Sequence, residues 1–183
     1  MLQGCDIDID EVVQNLNVGR CVGIHITNNT KGMTLRNPRT YCYSGYEHTA
    51  PTQEIAPGDS GHSVFVKTSG TARGSVGLLI YDLDTVTLAI LFSNPFDYNL
   101  YPFELAVEIF PSKKMIASMS HIYNYMYSGG PPYECNFFKK VAFMENCCEL
   151  VMHTQNLEVE ASMTNNYKSS LKVQINEKDC HLC

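Results

Sequence analysis

Basic residues are scarce in this sequence of 183 residues: 13 Lys and Arg stand against 19 Asp and Glu, so the net charge is −6 at pH 7. A protein that binds nucleic acid, or one that is attracted to anionic lipid, needs clustered basic side chains. The charge therefore argues against both classes. Zwitterionic head groups and neutral sugars remain as possible partners.

Long hydrophobic runs are also absent. A transmembrane helix needs about 18 or more consecutive apolar residues, and the sequence contains no such run. The N-terminal region lacks the basic start and the apolar centre of a signal peptide. We therefore expect a soluble chain, secreted or cytosolic, that forms one domain because no stretch rich in Pro, Gly and Ser resembles a linker.

Motifs for metals and cofactors are missing as well. The 6 histidines are scattered, and the C-terminal pair Cys180 and Cys183 has no second pair of ligands. Because no export signal is visible, the 8 cysteines predict reduced thiols. We expect no metal, no cofactor and no enzymatic activity.

One protease-like motif, Gly58-Asp59-Ser60-Gly61, matches the nucleophile signature of trypsin-like serine proteases, with His25 or His48 as a conceivable base. A protease of that kind has a whole barrel before its serine, and this chain is too short there to supply one. A tight turn explains the four residues without catalysis. A fluorophosphonate probe would label Ser60 if the protease alternative were right.

Hydrophobic spacing predicts a mainly β chain. Residues 9–18 place Ile9, Val12, Val13 and Leu16 on one helix face, so residues 1–19 are predicted as an amphipathic helical segment. Ten helical residues span only about 15 Å, against about 30 Å for the hydrocarbon core of a bilayer. A second helix is predicted near 112–127, where Met115, Met119, Ile122 and Met126 form a stripe.

Short alternating or apolar runs, separated by turn residues, predict the strands. They lie at 22–27, 33–45 (interrupted by Pro38), 62–68, 75–83, 86–93, 104–110, 137–145, 149–155, 157–163 and 170–176, with a polar loop at 46–61. We predict a single-domain β-sandwich over residues 20–176, flanked by two α-helices and followed by a tail at 177–183.

The loop Asn-Pro-Phe-Asp-Tyr-Asn-Leu-Tyr-Pro-Phe at 94–103 is rich in aromatic residues that alternate with polar ones. The face of a Tyr ring attracts a quaternary ammonium ion, and hydroxyl groups can hold the phosphate next to it in phosphocholine. The ingredients of such a site are Ser93, Pro95 and Tyr101 in this region and Tyr123 and Tyr127 on the second helix.

The same stretch carries a family resemblance. GSVGLLIYDL, followed by TLAILFSNPFDYNLY, resembles the central motifs of the actinoporins, a family of pore-forming cytolysins, with unbroken spacing. The resemblance implies a β-sandwich with two helices. It also implies binding to membranes that contain sphingomyelin, self-association on the membrane, and a cation-permeable pore made with the N-terminal helix.

The resemblance assigns roles to individual residues. On the second helix, the family's two tyrosines fall on Tyr123 and Tyr127 if two residues are inserted before them. Without that insertion they fall on His121 and Tyr125. The membrane-contact residues implied are Arg20, Phe96, Tyr98 and Leu100. The residues implied to bind the phosphocholine head group are Ser44, Val76, Ser93, Pro95, Tyr101, Tyr123 and Tyr127.

Two departures from the family pattern predict weak pore formation. The chain has no Trp, and the anchoring tryptophan of the motif is replaced by Leu100. The next anchoring position is Glu104, a carboxylate that we expect at the bilayer surface, where it is unfavourable. The short first helix is the second departure.

The alternative function is a soluble carbohydrate-binding module, because fungal fruit-body lectins share this sandwich and Tyr faces also suit sugars.

Overall fold

The structure, a computed structural model, describes residues 6–112, 118–129, 137–145 and 148–179. Within these ranges the chain forms two helices and eleven strands. In chain order they are α1 (Ile9–Gln14), β1 (Cys21–Asn29), β2 (Leu35–Ser44), β3 (Tyr46–Thr49), β4 (Ser60–Val66), β5 (Ser75–Leu83), β6 (Val86–Asn94), β7 (Phe103–Pro111), α2 (Met119–Ser128), β8 (Phe137–Phe143), β9 (Cys148–His153), β10 (Leu157–Met163) and β11 (Lys168–Glu177). The predicted mainly β fold with two helices is confirmed.

The strands form two sheets that pack as a sandwich. The first sheet has the order β3-β4-β1-β11-β10-β9, and the second has the order β2-β5-β6-β7-β8. Strands β1 and β11 pair in parallel, which joins the two halves of the chain in one sheet. The alternation predicted for the last strand is confirmed, since Leu171, Val173 and Ile175 are all buried between the sheets.

The central strands β5, β6 and β7 are buried on both faces. Their inner face packs on the first sheet, with Tyr81 and Phe92 among its largest buried side chains. Their outer face, which includes Leu78 and Leu91, is covered by α2. Burial on both faces explains why these strands are nearly continuous apolar runs, and it confirms the three runs predicted here.

Helix α1 is shorter than the predicted span of 9–18. The Asp8 side chain caps it by accepting hydrogen bonds from the backbone N–H of Asp10 at 3.0 Å and of Glu11 at 3.4 Å. Ile9 and Val13 pack over Gly23 of β1, where an added Cβ would lie 2.4 Å from Val13 Cγ1. The helix therefore seats in a groove that the missing side chain of Gly23 creates.

Helix α2 begins at Met119, where the prediction had placed the start near residue 112; residues 113–117, including Met115, lie outside the described residues. Ser118 caps the helix by accepting a hydrogen bond from the N–H of His121 at 3.2 Å. The predicted apolar stripe is confirmed for Ile122 and Met126, which are both buried against the second sheet.

Strand β3 is a further difference, whereas the predicted interruption of the strand at Pro38 is confirmed. The region predicted as a polar loop contains β3, an edge strand whose side chains are nearly all exposed and so show no alternation. The interruption at Pro38 is a register shift of β2 against β5 between Arg36 and Arg39, with Asn37 at a φ of 53°. Proline has no N–H to donate, so a bulge on an edge strand accommodates it.

Two kinds of feature are absent from the described ranges. No helix there is both long and apolar enough to cross a membrane. The same ranges hold no group of three or more His, Cys, Asp or Glu side chains placed to bind a metal ion. The Cys180 and Cys183 pair lies outside the described residues.

Candidate functional site

A cleft of about 470 Å³ opens where β2 and β6 end and β5 begins, beside the last turn of α2. We call it the rim cleft. All seven residues assigned to the head group line it: Ser44, Val76, Ser93, Pro95, Tyr101, Tyr123 and Tyr127. Of the four residues assigned to membrane contact, Phe96 and Leu100 also line it, whereas Arg20 and Tyr98 lie beside it.

The strand register builds one wall of the rim cleft. Val76 of β5 pairs with Ser44 of β2 on one side and with Ser93 of β6 on the other. Directly paired residues point to the same face of a sheet, so the three side chains form a row. The Ser44 hydroxyl donates a hydrogen bond to the carbonyl of Gly74 at 3.0 Å, which fixes the end of that row.

A stack of tyrosines builds the opposite wall. The Tyr123 ring is stacked on Tyr43 with 5.1 Å between centroids, and on Tyr127 with 5.6 Å. Tyr123 is only 2% exposed, whereas Tyr43 is 57% and Tyr127 is 40% exposed. Tyr123 is therefore buried beneath its two neighbours, and burial raises the pKa of its hydroxyl. Tyr123 supports the wall, and its neighbours present the ring surface.

Tyr43 is a lining residue that the sequence reasoning missed. The alternation in Thr-Tyr-Cys-Tyr-Ser, residues 40–44, could have indicated it, because period two places Tyr41 and Tyr43 on one strand face. What the alternation does not contain is the register shift between Cys42 and Ser44. That irregularity brings two consecutive residues, Tyr43 and Ser44, into the same cleft.

The two alternative assignments on α2 are separated by geometry. Tyr123 and Tyr127 line the rim cleft. His121 is exposed on another side of the helix, and Tyr125 packs partly buried against the outer cluster of the second sheet. The structure thus brings together the pair that requires the insertion.

The aromatic loop, residues 95–102, closes the cleft with a tight turn. The Asp97 carbonyl accepts hydrogen bonds from the N–H of Leu100 at 3.3 Å and of Tyr101 at 3.0 Å. The Asp97 carboxylate accepts one from the N–H of Asn99 at 2.9 Å. The turn leaves Leu100 71% and Tyr101 54% exposed at the mouth of the cleft.

Arg20 holds this loop in place from outside the cleft. Its guanidinium donates to the carbonyls of Pro95 at 3.4 Å and Phe96 at 3.0 Å. Its Cζ also lies 4.1 Å from the ring centroid of Tyr167 and 5.0 Å from that of Tyr98. Cation–π contacts and hydrogen bonds together make Arg20 a clamp between β1 and the aromatic loop.

Asn94 anchors the start of the loop and is fully buried. Its Nδ2 donates to the carbonyls of Cys21 at 3.0 Å, Asn166 at 3.3 Å and Tyr167 at 2.9 Å. Its Oδ1 accepts a hydrogen bond from the Tyr98 hydroxyl at 2.9 Å. Burial of Tyr98 raises the pKa of that hydroxyl to about 12, so it stays protonated as a donor at neutral pH.

Glu104 does not lie at the surface, so that expectation is wrong. Its side chain is 14% exposed, and its Oε1 lies 3.4 Å from Lys140 Nζ. Burial raises the pKa of Glu104, and the nearby Lys140 opposes this shift. Lys140 also donates to the Tyr127 carbonyl and lies 4.9 Å from the centroid of the Tyr127 ring.

The accessible or partly accessible rings around the rim cleft and the aromatic loop therefore fall into two groups. Phe96, Tyr98, Tyr127 and Tyr167 each have a Lys or Arg of the chain itself over the ring. Tyr43 and Tyr101 line the rim cleft and are more than half exposed, and no cation of the described residues lies over either ring. Within the rim cleft, a cation from outside the chain would find its ring surface on these two.

The protease-like motif lies away from this cleft, at the start of β4. Ser60 Oγ donates to Asp6 Oδ1 at 3.0 Å, and His25 Nε2 lies 3.3 Å from the same oxygen. In a catalytic triad the imidazole stands between the serine and the carboxylate. Here the carboxylate stands between the other two, so the arrangement lacks a base in contact with Ser60 Oγ within the described residues.

Comparison with known families gives a match over nearly the whole chain. The model of the sea anemone cytotoxic protein family matches residues 4–177. Among solved structures, the lipid binding protein Nakanori superposes with a TM-score of 0.70 at 16% sequence identity, covering 91% of this chain and 76% of Nakanori. At that identity the superposition demonstrates the shared fold.

Curated relatives are similar over parts of the chain. Deep-sea actinoporin Cjtox I from Cribrinopsis japonica is 36% identical over 95 residues, which are 51% of this chain and 43% of that protein. DELTA-thalatoxin-Avl1b from Actineria villosa is 30% identical over 125 residues, 67% of this chain and 54% of the toxin. The chain thus matches about half the length of these two. Bryoporin from Physcomitrium patens is 28% identical over 160 residues, 86% of this chain and 84% of bryoporin.

Proposed function

The chain belongs to the family of sea anemone cytotoxic proteins, and from this premise we propose that its rim cleft binds the phosphocholine head group of a membrane lipid such as sphingomyelin. The observation that carries the proposal is the pair of exposed rings, Tyr43 and Tyr101, which line one cleft and have no cation of the described chain over them. A ring in this position attracts a quaternary ammonium ion by about 0.5 to 2 kcal/mol.

The wall of the cleft that the row of Ser44, Val76 and Ser93 forms suits the phosphate. Ser44 and Ser93 place hydroxyl groups at either side of Val76 in the register row. The Ser44 hydroxyl already donates to the Gly74 carbonyl, so Ser93 is the serine assigned to donate to the phosphate. A hydroxyl that donates to the phosphate, beside a ring that attracts the ammonium group, can hold both charged groups of one zwitterion at the same time. A protein of net charge −6 then binds a membrane without a basic surface.

The rim around the cleft supplies the contact with the bilayer. Leu100 and Phe96 are 71% and 40% exposed beside the bound head group. Apolar side chains beside a bound head group lie among the lipid head groups, but Leu anchors a protein at this interface less strongly than Trp. We therefore place the membrane contact at the aromatic loop and expect it to be weak without a bound head group.

Self-association into a cation-permeable pore is the second part of the proposal. Helix α1 has 6 residues, about 9 Å at 1.5 Å per residue, against a hydrocarbon core of about 30 Å. We expect this protein to release less dye from sphingomyelin liposomes than a family member that has Trp in the aromatic loop. Strong release at a comparable protein concentration would contradict this limit.

Vesicle retention tests head-group binding. One set of vesicles presents phosphocholine, as sphingomyelin with phosphatidylcholine, and the other presents phosphoethanolamine. We expect retention on the first set only, and loss of that retention in Tyr101→Ala. Tyr46→Ala is the matched control, because Tyr46 is 51% exposed on β3 and does not line the rim cleft.

Three results would contradict the proposal: equal retention on both sets of vesicles, an unchanged Tyr101→Ala protein, or an equal loss in Tyr46→Ala. Binding to a glycan array that Tyr101→Ala abolishes would instead support the carbohydrate-binding alternative.

A further inference from the structure

Three basic residues surround the aromatic loop, and two of them are engaged within the protein. Arg20 donates to loop carbonyls and stacks on Tyr98 and Tyr167. Lys67 donates to the Thr71 carbonyl at 2.9 Å and lies 5.3 Å from the Phe96 ring centroid. The third is Arg73, which lines the rim cleft, is exposed, and has no hydrogen bond or ion pair to any residue that the structure describes.

The backbone that carries Arg73 is fixed on both sides. Before it, the Thr71 carbonyl accepts from Lys67 Nζ, and the Thr71 hydroxyl donates to the Thr68 carbonyl at 2.8 Å. After it, the Gly74 carbonyl accepts from Ser44 Oγ. Gly74 also passes so close to β6 that an added Cβ would lie 2.0 Å from the carbonyl oxygen of Asn94. The guanidinium is therefore presented from a preorganised wall of the cleft.

Asp97 is the acidic residue that lines the same cleft. It forms no ion pair with Arg73 among the described contacts. Asp97 belongs to the turn that carries Tyr101, one of the two rings without an internal cation. The cleft thus has an anion-binding group on the wall before β5, and a carboxylate with an exposed ring on the aromatic loop.

We propose that Arg73 binds the phosphate of the head group and so makes the rim cleft selective for phosphocholine over choline. This inference rests on the function proposed above. The guanidinium matches phosphate with paired N–H donors, while the ammonium end lies on the side of Tyr101 and Asp97. A charge-assisted hydrogen bond of this kind corresponds to a change in affinity of about tenfold.

The test is a titration, followed by NMR, of soluble phosphocholine, choline and inorganic phosphate into the wild type, Arg73→Gln and Arg73→Lys. The wild type should bind phosphocholine about tenfold more tightly than choline, and inorganic phosphate more weakly than phosphocholine, because phosphate lacks the ammonium group. Arg73→Gln should lose that preference while choline affinity stays unchanged. Arg73→Lys should retain part of it, since the charge remains and the paired donors do not.

Arg36→Gln is the matched control, because Arg36 is also exposed but lies near the start of β2, away from the rim cleft. Unchanged phosphocholine affinity in Arg73→Gln, or an equal loss in Arg36→Gln, would overturn the role of Arg73 while leaving the proposed function intact. Inorganic phosphate that binds as tightly as phosphocholine would overturn the two-ended selectivity. A wild type that binds neither phosphocholine nor choline would overturn the proposed function, and this inference with it.

Discussion

The aromatic loop and helix α1 are attached to the same sandwich in different ways. The loop is fixed by a fully buried amide, Asn94, and by Arg20, which bridges carbonyls and rings. Helix α1 buries two side chains, Ile9 and Val13, in a small apolar cluster against which Val12 and Leu16 also pack, and the helix is further held by polar contacts.

The polar contacts of α1 are open to solvent. Asp10 accepts from Ser170 Oγ and, at 2.6 Å, from Lys172 Nζ, and the side chains of Asp10 and Lys172 are about half exposed. Lys168 Nζ donates to the Gln14 carbonyl at 2.9 Å. Exposed ion pairs of this kind contribute about 0.2 to 1 kcal/mol each. From this comparison we expect α1 to be released more easily than the aromatic loop.

The largest effect should come from Asn94→Ala. The substitution removes donors from three carbonyls and the acceptor of the Tyr98 hydroxyl. A buried polar group without a partner costs about 1 to 3 kcal/mol. Because several groups lose their partner, we expect the free energy of unfolding, measured in urea, to fall by about 4 kcal/mol. Asn29→Ala is the control, because Asn29 forms an exposed hydrogen bond to Asn176. Similar losses in both variants would show that the buried network does not fix the loop.

Arg20→Gln should have the next largest effect. It removes the cation from the rings of Tyr98 and Tyr167 and unties the loop carbonyls. We expect the free energy of unfolding to fall by about 2 kcal/mol and hydrogen exchange at the N–H of Tyr101 to become faster. Arg36→Gln should leave this exchange rate unchanged. Unaltered exchange in Arg20→Gln would mean that the Asp97 turn holds the loop without the clamp.

Gly23→Ala probes the other region. The added Cβ would lie 2.4 Å from Val13 Cγ1 and 2.8 Å from Ile9 Cγ1, so α1 must move. Overpacking costs about 1 to 3 kcal/mol. We expect the free energy of unfolding to fall by only about 1 kcal/mol, because a weakly attached helix can move aside. Hydrogen exchange should rise in α1 alone. Gly32→Ala is the control, since nothing lies within 4 Å of its added Cβ. Exchange that rises throughout the sandwich would contradict the weak attachment of α1.

The smallest effect should come from Asp10→Asn. The bond from Lys172, followed by the bond from Ser170, lowers the pKa of Asp10 below its ordinary value of 3.8. A lowered carboxyl pKa stabilises the fold above the unfolded-state pKa, and this contribution is lost as the pH falls through the folded-state value. We expect a loss of about 0.5 kcal/mol at pH 7, measured as exchange protection of α1, that fades as the pH falls below the ordinary carboxyl value of 3.8.

Asp59→Asn, at an exposed turn residue, should leave that protection unchanged at pH 7 and in acid. A difference between Asp10→Asn and the wild type that persists in acid would contradict the role assigned to the carboxylate.

Much of the sandwich was predictable because burial leaves a local pattern. Strands β5 to β7 are apolar along their length since both faces are covered, and β11 alternates since one face is covered. Strand β3 left no such pattern, because it is an exposed edge strand. The limits of α1 depend on its seat over Gly23, which is a tertiary contact rather than a spacing.

The rim cleft was predictable only in part. Residues in the row of β2, β5 and β6, and those in the quoted motifs, were found because they stand at fixed spacing. Tyr43 depends on an irregular strand register, and the burial of Tyr123 depends on rings from two other segments. The pairing of Glu104 with Lys140 depends on how β7 meets β8. None of these contacts can be derived from local spacing.

The most direct test is a crystal structure of the protein soaked with phosphocholine. Our account predicts the trimethylammonium group against the exposed faces of Tyr43 and Tyr101 and the phosphate beside Arg73, with the aromatic loop unmoved. Phosphocholine bound elsewhere, for example beside Tyr167, or an empty rim cleft at saturating ligand, would contradict it.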